Sequence, residues 1–491
     1  MSTIQTSLAD AEAYPMTELR RPPSKDVEDA PADADIARSE PATPYLKLVV
    51  AGYSFFCAGV NDGTLGPLIP YIISSFGIGT GEIAIIYGTT FAGWLLAAVT
   101  NPIMTAHMTL GQLLGVGAVL QLLAHCLRPW SPLPLFCITF FLQALGMAYQ
   151  DSHSNTFVSG LKNVPHRWLS FIHAYVPNVE TNLPAAPPFP SLRFTWLHDT
   201  AFFAEFLITT QCYALGCFIG PLVATAIATS ANTMAIDGWK RVYLVLIGIS
   251  VLNVGGVVVA FRDSLWSRLN NATIITTTTT TTTSADTTPR QKRNRAAMTD
   301  MARLLKSKTL WLISMFYFFE LGANFTAGGW VVEFLTTVRG GSLSAIGYVP
   351  TGFYGGMLAG RLLLAEPTFR YGEQRMLLVY SVLCVALQLG FWLQPNIVGS
   401  AVALSFIGFF TGPFFATGMS VASKLFPRES QPAALGFIFV LAQAGGALFP
   451  SITGLIATNA GVAVLQPIVL VLFVVGGISW WLVPKVPRRN E

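Results

Sequence analysis

The sequence predicts an all-α integral membrane protein of twelve transmembrane helices, built as two six-helix repeats. Three observations predict it. Of the 491 residues, 52% are hydrophobic and 11% charged, and mean hydropathy is +0.54; soluble domains carry about 25% charged residues. A dozen apolar runs approach the ~20 residues that a bilayer-spanning helix needs. Two stretches separated by a fixed offset of 263 residues match without gaps.

The spans follow in order at 45–72, 81–105, 110–127, 132–158, a disturbed fifth around 168–230, and 240–261. After a polar segment come 309–335, 343–364, 375–394, 398–424, 433–457 and 461–484. Each must be helical, because lipid offers backbone groups no hydrogen-bond partner. The organisation is therefore a tail at 1–44, a first half at 45–261, a Thr-rich and basic loop at 262–308, a second half at 309–484 and a short tail at 485–491. Residues 1–44 are acidic and proline-rich with no apolar core, and read as a disordered cytoplasmic tail.

Positive charge orients the spans. One set of loops holds Lys162, Arg167, Arg370, Arg375, Lys424 and Arg428, and the central loop adds a basic QKRNR. The other set holds Arg128, Lys240, Arg241 and Arg339. The bias puts both termini in the cytoplasm, with the plasma membrane as the expected location. A net charge of +4 gives no support to nucleic-acid binding. The six cysteines form no CxxC pair and the six histidines no HxxH or HxxxH pair. No metal, cofactor or enzyme activity is expected, and the chain reads as a monomer in the lipid bilayer.

The internal repeat aligns "FFCAGVNDGTLG" at 55–66 with "FFELGANFTAGG" at 318–329. Phe55, Phe56, Gly59, Asn61 and Gly66 match Phe318, Phe319, Gly322, Asn324 and Gly329. The same offset carries Gly93 onto Gly356 and Ala97 onto Gly360 in the next span. Small residues at this spacing serve close helix packing. Two parallel six-helix repeats suit a binding site between the halves near the midplane.

Twelve spans in two repeated halves, cytoplasmic ends and a long central loop resemble the major facilitator superfamily. "NDGTLGPLIP" in span 1 and "DSHSNTFV" in span 4 resemble the fucose permease branch of sugar:proton symporters, and "GFIFVLAQAGGALFPSITG" at 436–454 resembles its fungal members. The loop between spans 2 and 3, "NPIMTAHMTLGQ", departs from the family's acidic–basic motif; "GRLLLAEPTFRYGEQR" between spans 8 and 9 keeps more of it.

A charge at the centre of a lone helix costs about 2.5–3.5 kcal/mol on insertion scales, so an acid there usually faces a cavity. A carboxyl moved out of water also holds its proton more tightly. The resemblance implies that Asp62 and Asp151 couple protons to transport. Asn61, Gln150, Asn155, Asn324 and Gln443 are candidate hydrogen-bond partners for a polar substrate, with Phe325 or Trp330 stacking on a ring. Each acid or amide has a second reading, as a helix–helix bond or an interfacial group. Glu320 and Glu333 read as interfacially solvated, and Arg361 as snorkelling inward from span 8 or as a gate. The leading function is a secondary transporter of a small polar solute such as a sugar, moved with protons. An exporter of metabolites or drugs and a non-transporting nutrient sensor are the alternatives.

The fifth span carries five prolines and scattered polar residues between "FIHA" at 171 and "CYALGCFIGP" at 212. Span 11 is its internal control and is continuous over "FIFVLAQAGGALFP". Residues 175–211 therefore read as an aberrant insertion, a retained intron or gene-model error. A true inserted loop is the alternative, which would push helix 5 toward 212–233.

Overall fold

A computed structural model of the chain describes residues 44–159, 201–230, 238–266, 304–427 and 430–486. The 1–43 part of the tail, 160–200, most of the central loop and 487–491 lie outside the described residues.

The helices of the first half are α1 (Pro44–Phe76), α2 (Thr80–His107), α3 (Leu110–Leu127), α4 (Leu133–Ser159), α5 (Ala201–Thr229) and α6 (Val242–Ala260). Those of the second are α7 (Lys308–Thr337), α8 (Val349–Leu363), α9 (Glu373–Leu393), α10 (Ile397–Thr411, resuming as Phe414–Leu425), α11 (Gln431–Ala460) and α12 (Leu465–Trp481). The interruption in α10 falls at Gly412-Pro413, where proline has no N–H to give the helix ladder. Gly77 and Gly461 end α1 and α11 with φ of 61° and 76°, a backbone region that side chains rarely adopt.

Among the described residues, nine helical segments are long and apolar enough to cross a membrane on those grounds alone. The three that are not are α1, α7 and α8. Helix α8 has only 15 residues, preceded by a short turn of helix at Leu343–Ile346. Helices α1 and α7 have length to spare, 33 and 30 residues, but carry Asn61, Asp62, Glu320, Asn324 and Glu333. Their polarity follows from their place at the centre of the bundle.

The halves repeat each other's packing. In the first, α1 packs on α5 and α6, α2 on α4, and α3 on α4 and α6; in the second, α7 packs on α11 and α12, α8 on α10, and α9 on α10 and α12. The halves meet where α2 crosses α11, α5 crosses α8 and α1 crosses α7. The repeated glycines sit at contacts within each half. A Cβ on Gly93 would come within 2.6 Å of the Phe141 carbonyl on α4, and one on Gly356 would overlap the Ser405 carbonyl on α10.

Helix α5 takes the fifth position, and its Ala201–Gln211 stretch comes from the segment that the sequence marks as an insertion. The rest of that segment lies outside the described residues. From Cys212 on, the expected register holds. Gly216 is pressed against the backbone of Phe56 and Val60 on α1, as Gly445 of α11 is against that of Phe318 on α7.

The outward faces carry exposed Leu252, Val259, Leu363, Leu393 and Val398. Exposed tryptophans stand at both ends of the bundle, Trp266 and Trp481 at the end where α6 leads toward α7, Trp130 and Trp392 at the other. Apolar sides with tryptophan at both rims are those of a multi-pass membrane protein. The end joined by residues 262–307 is called the loop end below, and the other the far end.

Candidate functional site

Two adjoining cavities run along the centre of the bundle, between the halves. Phe325, Tyr354 and Gln443 line both. The far-side cavity holds Asn61 and Asp62 of α1, Tyr87 of α2 and Gln143 of α4. The loop-side cavity holds Asp151 and Asn155 of α4, Glu320 and Asn324 of α7, and Arg361 of α8.

Asp62 sits at the middle of α1 and accepts two hydrogen bonds. The Tyr213 hydroxyl of α5 donates to Oδ2 at 2.8 Å, and Asn61 Nδ2 donates to Oδ1 at 3.1 Å. The close α1–α5 packing around Gly59 and Gly216 brings Tyr213 within reach. Asn61 in turn belongs to a buried polar cluster. Arg128 Nη1 donates to Asn61 Oδ1 at 3.0 Å, and His125 Nε2 lies 3.3 Å from the same oxygen. His125 Nδ1 lies 2.8 Å from Ser250 Oγ on α6.

Arg128 corrects the charge count, which placed it in an outer loop. It stands just past the end of α3, is 1% exposed, and donates from Nε to Thr139 Oγ1 at 3.0 Å. Its guanidinium lies 3.8 Å from the centre of the Phe140 ring. A planar fork between two oxygens and an aromatic face explains why the charge turns inward. Arg128→Ala removes two charge-assisted hydrogen bonds and is expected to cost about 3 kcal/mol. Arg128→Lys should recover only part of this, because an ammonium cannot reproduce the fork. Thermal unfolding of the purified variants in detergent reads the order wild type, Lys, Ala.

Asp151 and Asn155 lie four residues apart on one face of α4 and both reach the loop-side cavity. Asp151 is 3% exposed, and its Oδ1 has no hydrogen-bond partner among the described residues. Gln150, its neighbour, points elsewhere. Its Oε1 accepts from Gln121 at 2.7 Å and Asn253 at 2.9 Å, and its Nε2 donates to the Leu114 carbonyl at 3.2 Å. One residue turns a helix by about 100°, so adjacent polar residues serve different neighbours. Trp330 also lies outside both cavities. It is fully buried, donates from Nε1 to the Pro450 carbonyl at 3.0 Å and packs beside Tyr87.

Glu320 overturns its interfacial reading. It stands twelve residues into α7, about 18 Å along the axis at 1.5 Å per residue. It is 4% exposed, lines the loop-side cavity and accepts from Asn324 Nδ2 through Oε1. The signal was available in the sequence: Glu320 precedes Asn324 by one helical turn, so the two share a face. Glu333, nearer the far end, is buried as well. Arg361, read as turning inward from span 8 or as a gate, does face the interior. It lines the loop-side cavity and donates from Nε to the Gly412 carbonyl at the break in α10, at 3.2 Å. Tyr213, Tyr354, Phe415 and Phe439 are cavity residues that the sequence did not mark.

At the far end the halves are joined directly. A Cβ on Gly66 would come within 2.5 Å of the Gly328 carbonyl. Ser451 Oγ donates to the Ala84 carbonyl at 2.8 Å, and Thr225 Oγ1 to the Gly347 carbonyl at 2.7 Å.

Residues 310–491 match the family model of the Major Facilitator Superfamily. The chain is 20% identical over 459 residues to "Bypass of stop codon protein 6" of Saccharomyces cerevisiae (strain ATCC 204508 / S288c), covering 91% of this chain and 84% of that protein. Among solved structures it is similar to a bacterial homologue of the human lysosomal transporter Spinster in an inward-facing, unoccupied conformation. That likeness has a TM-score of 0.61 and 11% identity over 90% of this chain and 96% of the other. It is also similar to the Major Facilitator Superfamily transporter FucP in its outward conformation, with a TM-score of 0.57 and 15% identity over 89% and 98%. The chain is an all-α membrane protein with the major facilitator fold, and its second half carries the match to that family's model.

Proposed function

We propose that this protein is a secondary active transporter that moves a small polar solute together with protons by alternating access. The observation that carries the reading is Asp62, an acid at the middle of a membrane helix that faces a central cavity and is held by Tyr213 and Asn61. In this reading the joined far ends are the closed gate, and the loop end is the side of access. Positive loops put that side, with both termini, in the cytoplasm. In this reading Asp62 carries the proton, Asp151 assists it, and Asn155, Asn324, Phe325 and Gln443 contact the solute. Arg361, bound to the break in α10, acts in gating. The kinship of motifs with sugar symporters makes a sugar the first solute to try, and the plasma membrane the first place to look. Residues 175–211 remain, in this proposal, an insertion foreign to the working protein.

A second reading has support of its own. Phe55, Phe325, Phe415 and Phe439 line the loop-side cavity, and such walls suit export of an amphipathic metabolite.

The test is proton movement in proteoliposomes of the purified chain on addition of a panel of polar solutes. Solute-driven proton uptake is expected in the wild type, falling at least tenfold in Asp62→Asn. Unchanged coupling in a folded Asp62→Asn protein would remove Asp62 from the mechanism.

A further inference from the structure

Residues lining the loop-side cavity carry buried oxygen acceptors that lack donors among the described residues. Glu320 Oε1 takes the amide of Asn324, but Glu320 Oε2 meets no donor. Asn324, 7% exposed, has its Nδ2 committed to Glu320, and its Oδ1 meets no donor. Across the cavity, on the first half, Asp151 Oδ1 is unpartnered as well. A buried acceptor left unpaired costs about 1–3 kcal/mol, so a ligand that supplies donors gains at each one.

Charge points the same way. The lining includes two carboxyls and one guanidinium, that of Arg361. The carboxyls outnumber the guanidinium, so a bound cation can be matched by a carboxylate there. The Arg361 Nε is turned to the Gly412 carbonyl of the second half. Phe55, Phe325, Phe415 and Phe439 line the same cavity. Aromatic faces attract cations and cover apolar groups. A polyol fits this lining less well, since each hydroxyl brings an acceptor as well as a donor. An ammonium brings three donors and no acceptor.

We infer that the loop-side cavity takes a primary amine as a monocation with an apolar or aromatic body, its ammonium held by Glu320 and Asn324 and drawn toward Asp151. The amides of Asn155 and Gln443 are left for a polar substituent on that body. Glu320 belongs to one half and Asp151 to the other, so the bound cation pulls the halves together across the cavity. The inference rests on the transporter reading only in calling this ligand a cargo; binding itself requires no transport.

The test is equilibrium binding to the full chain in detergent at neutral pH, with 2-phenylethylamine and its neutral analogue 2-phenylethanol as probes. The amine is expected to bind at least tenfold more tightly than the alcohol. Glu320→Gln is expected to bring the amine down to the alcohol's level. Equal affinity of amine and alcohol for the wild type would overturn the inference without any variant. So would an amine preference that survives in Glu320→Gln protein eluting as a folded monodisperse species. Amine binding without proton movement in proteoliposomes would sink the transporter reading and keep the site. Proton-coupled transport of a polyol, with no preference for amine over alcohol, would do the reverse.

Discussion

Gly59→Val and Gly216→Val are each expected to abolish recovery of folded protein. Gly59 lies where α1 crosses α5. A Cβ there would overlap the Tyr213 carbonyl and come within 2.9 Å of the Cys217 amide nitrogen. From the other side, a Cβ on Gly216 would overlap the Phe56 carbonyl and lie 2.8 Å from the Val60 amide nitrogen. These neighbours are backbone atoms of regular helices, so no rotamer change relieves the overlap. Overpacking a core with flexible neighbours costs about 1–3 kcal/mol, and a clash of backbone with Cβ exceeds that range. Both helices are continuous over these positions and belong to the same half, so the half cannot open to make room. The expected result is a loss of the monodisperse peak in size-exclusion chromatography of a fluorescent fusion, at least tenfold relative to wild type. Gly248→Val is the control: it faces outward from α6, and a Cβ there would meet nothing within 4 Å. If Gly216→Val behaved like the control, α5 would not pack in the register described, and the placement of Tyr213 beside Asp62 would fall with it.

That register shows what the sequence makes legible and what it hides. Gly93 and Gly356, 263 residues apart, could be paired by inspection because the repeat conserves spacing within a helix. They do occupy equivalent crossings, against α4 and α10. Gly216 could be paired with the second half only by discounting the proline-rich stretch before it, and the backbone contact with α1 agrees with that alignment. Asp62, Asp151, Asn155, Asn324, Phe325 and Gln443 all reach the central cavities. They were legible because polar or aromatic residues in an apolar helix need a reason to be there. Gln150 and Trp330 satisfy the same criterion with a different outcome. Their polar atoms bond to neighbouring helices, and sequence does not tell a cavity face from a helix–helix face when both are enclosed. Arg128 was hidden for a related reason. A charge at a span's end reads as a loop charge unless the groups it can turn toward are known, and Asn61 and Thr139 lie on other helices. Glu320 was misread because a span boundary was taken as the membrane surface. The helix begins at Lys308, one residue before the span drawn from sequence, so Glu320 was already about 18 Å along it and the depth was there to be counted.

Gly66→Val should stop transport while leaving a folded protein, and the contrast with Gly59 is the point. The Gly66 Cβ would lie 2.5 Å from the Gly328 carbonyl and 3.3 Å from Gly329, both on α7 of the other half. The overlap is therefore between halves, and the halves can separate at the far end without disturbing the packing inside either one. In an alternating-access cycle that separation is one of the working states, so the substitution shifts a population and leaves the fold intact. A bias of only about 1–3 kcal/mol moves such an equilibrium about 5- to 150-fold, and an overlap with backbone supplies at least that. The far-side cavity holds Thr90, so a cysteine placed there reports the shift. Thr90→Cys is expected to react with a membrane-impermeant maleimide at least fivefold faster when combined with Gly66→Val, and solute-driven proton uptake by Gly66→Val to fall at least tenfold. Retained uptake with unchanged labelling would mean that the contact of Gly66 with Gly328 is not a closure that the protein must make and break. The alternating-access reading would then lose the crossing of α1 and α7 as its far-side gate.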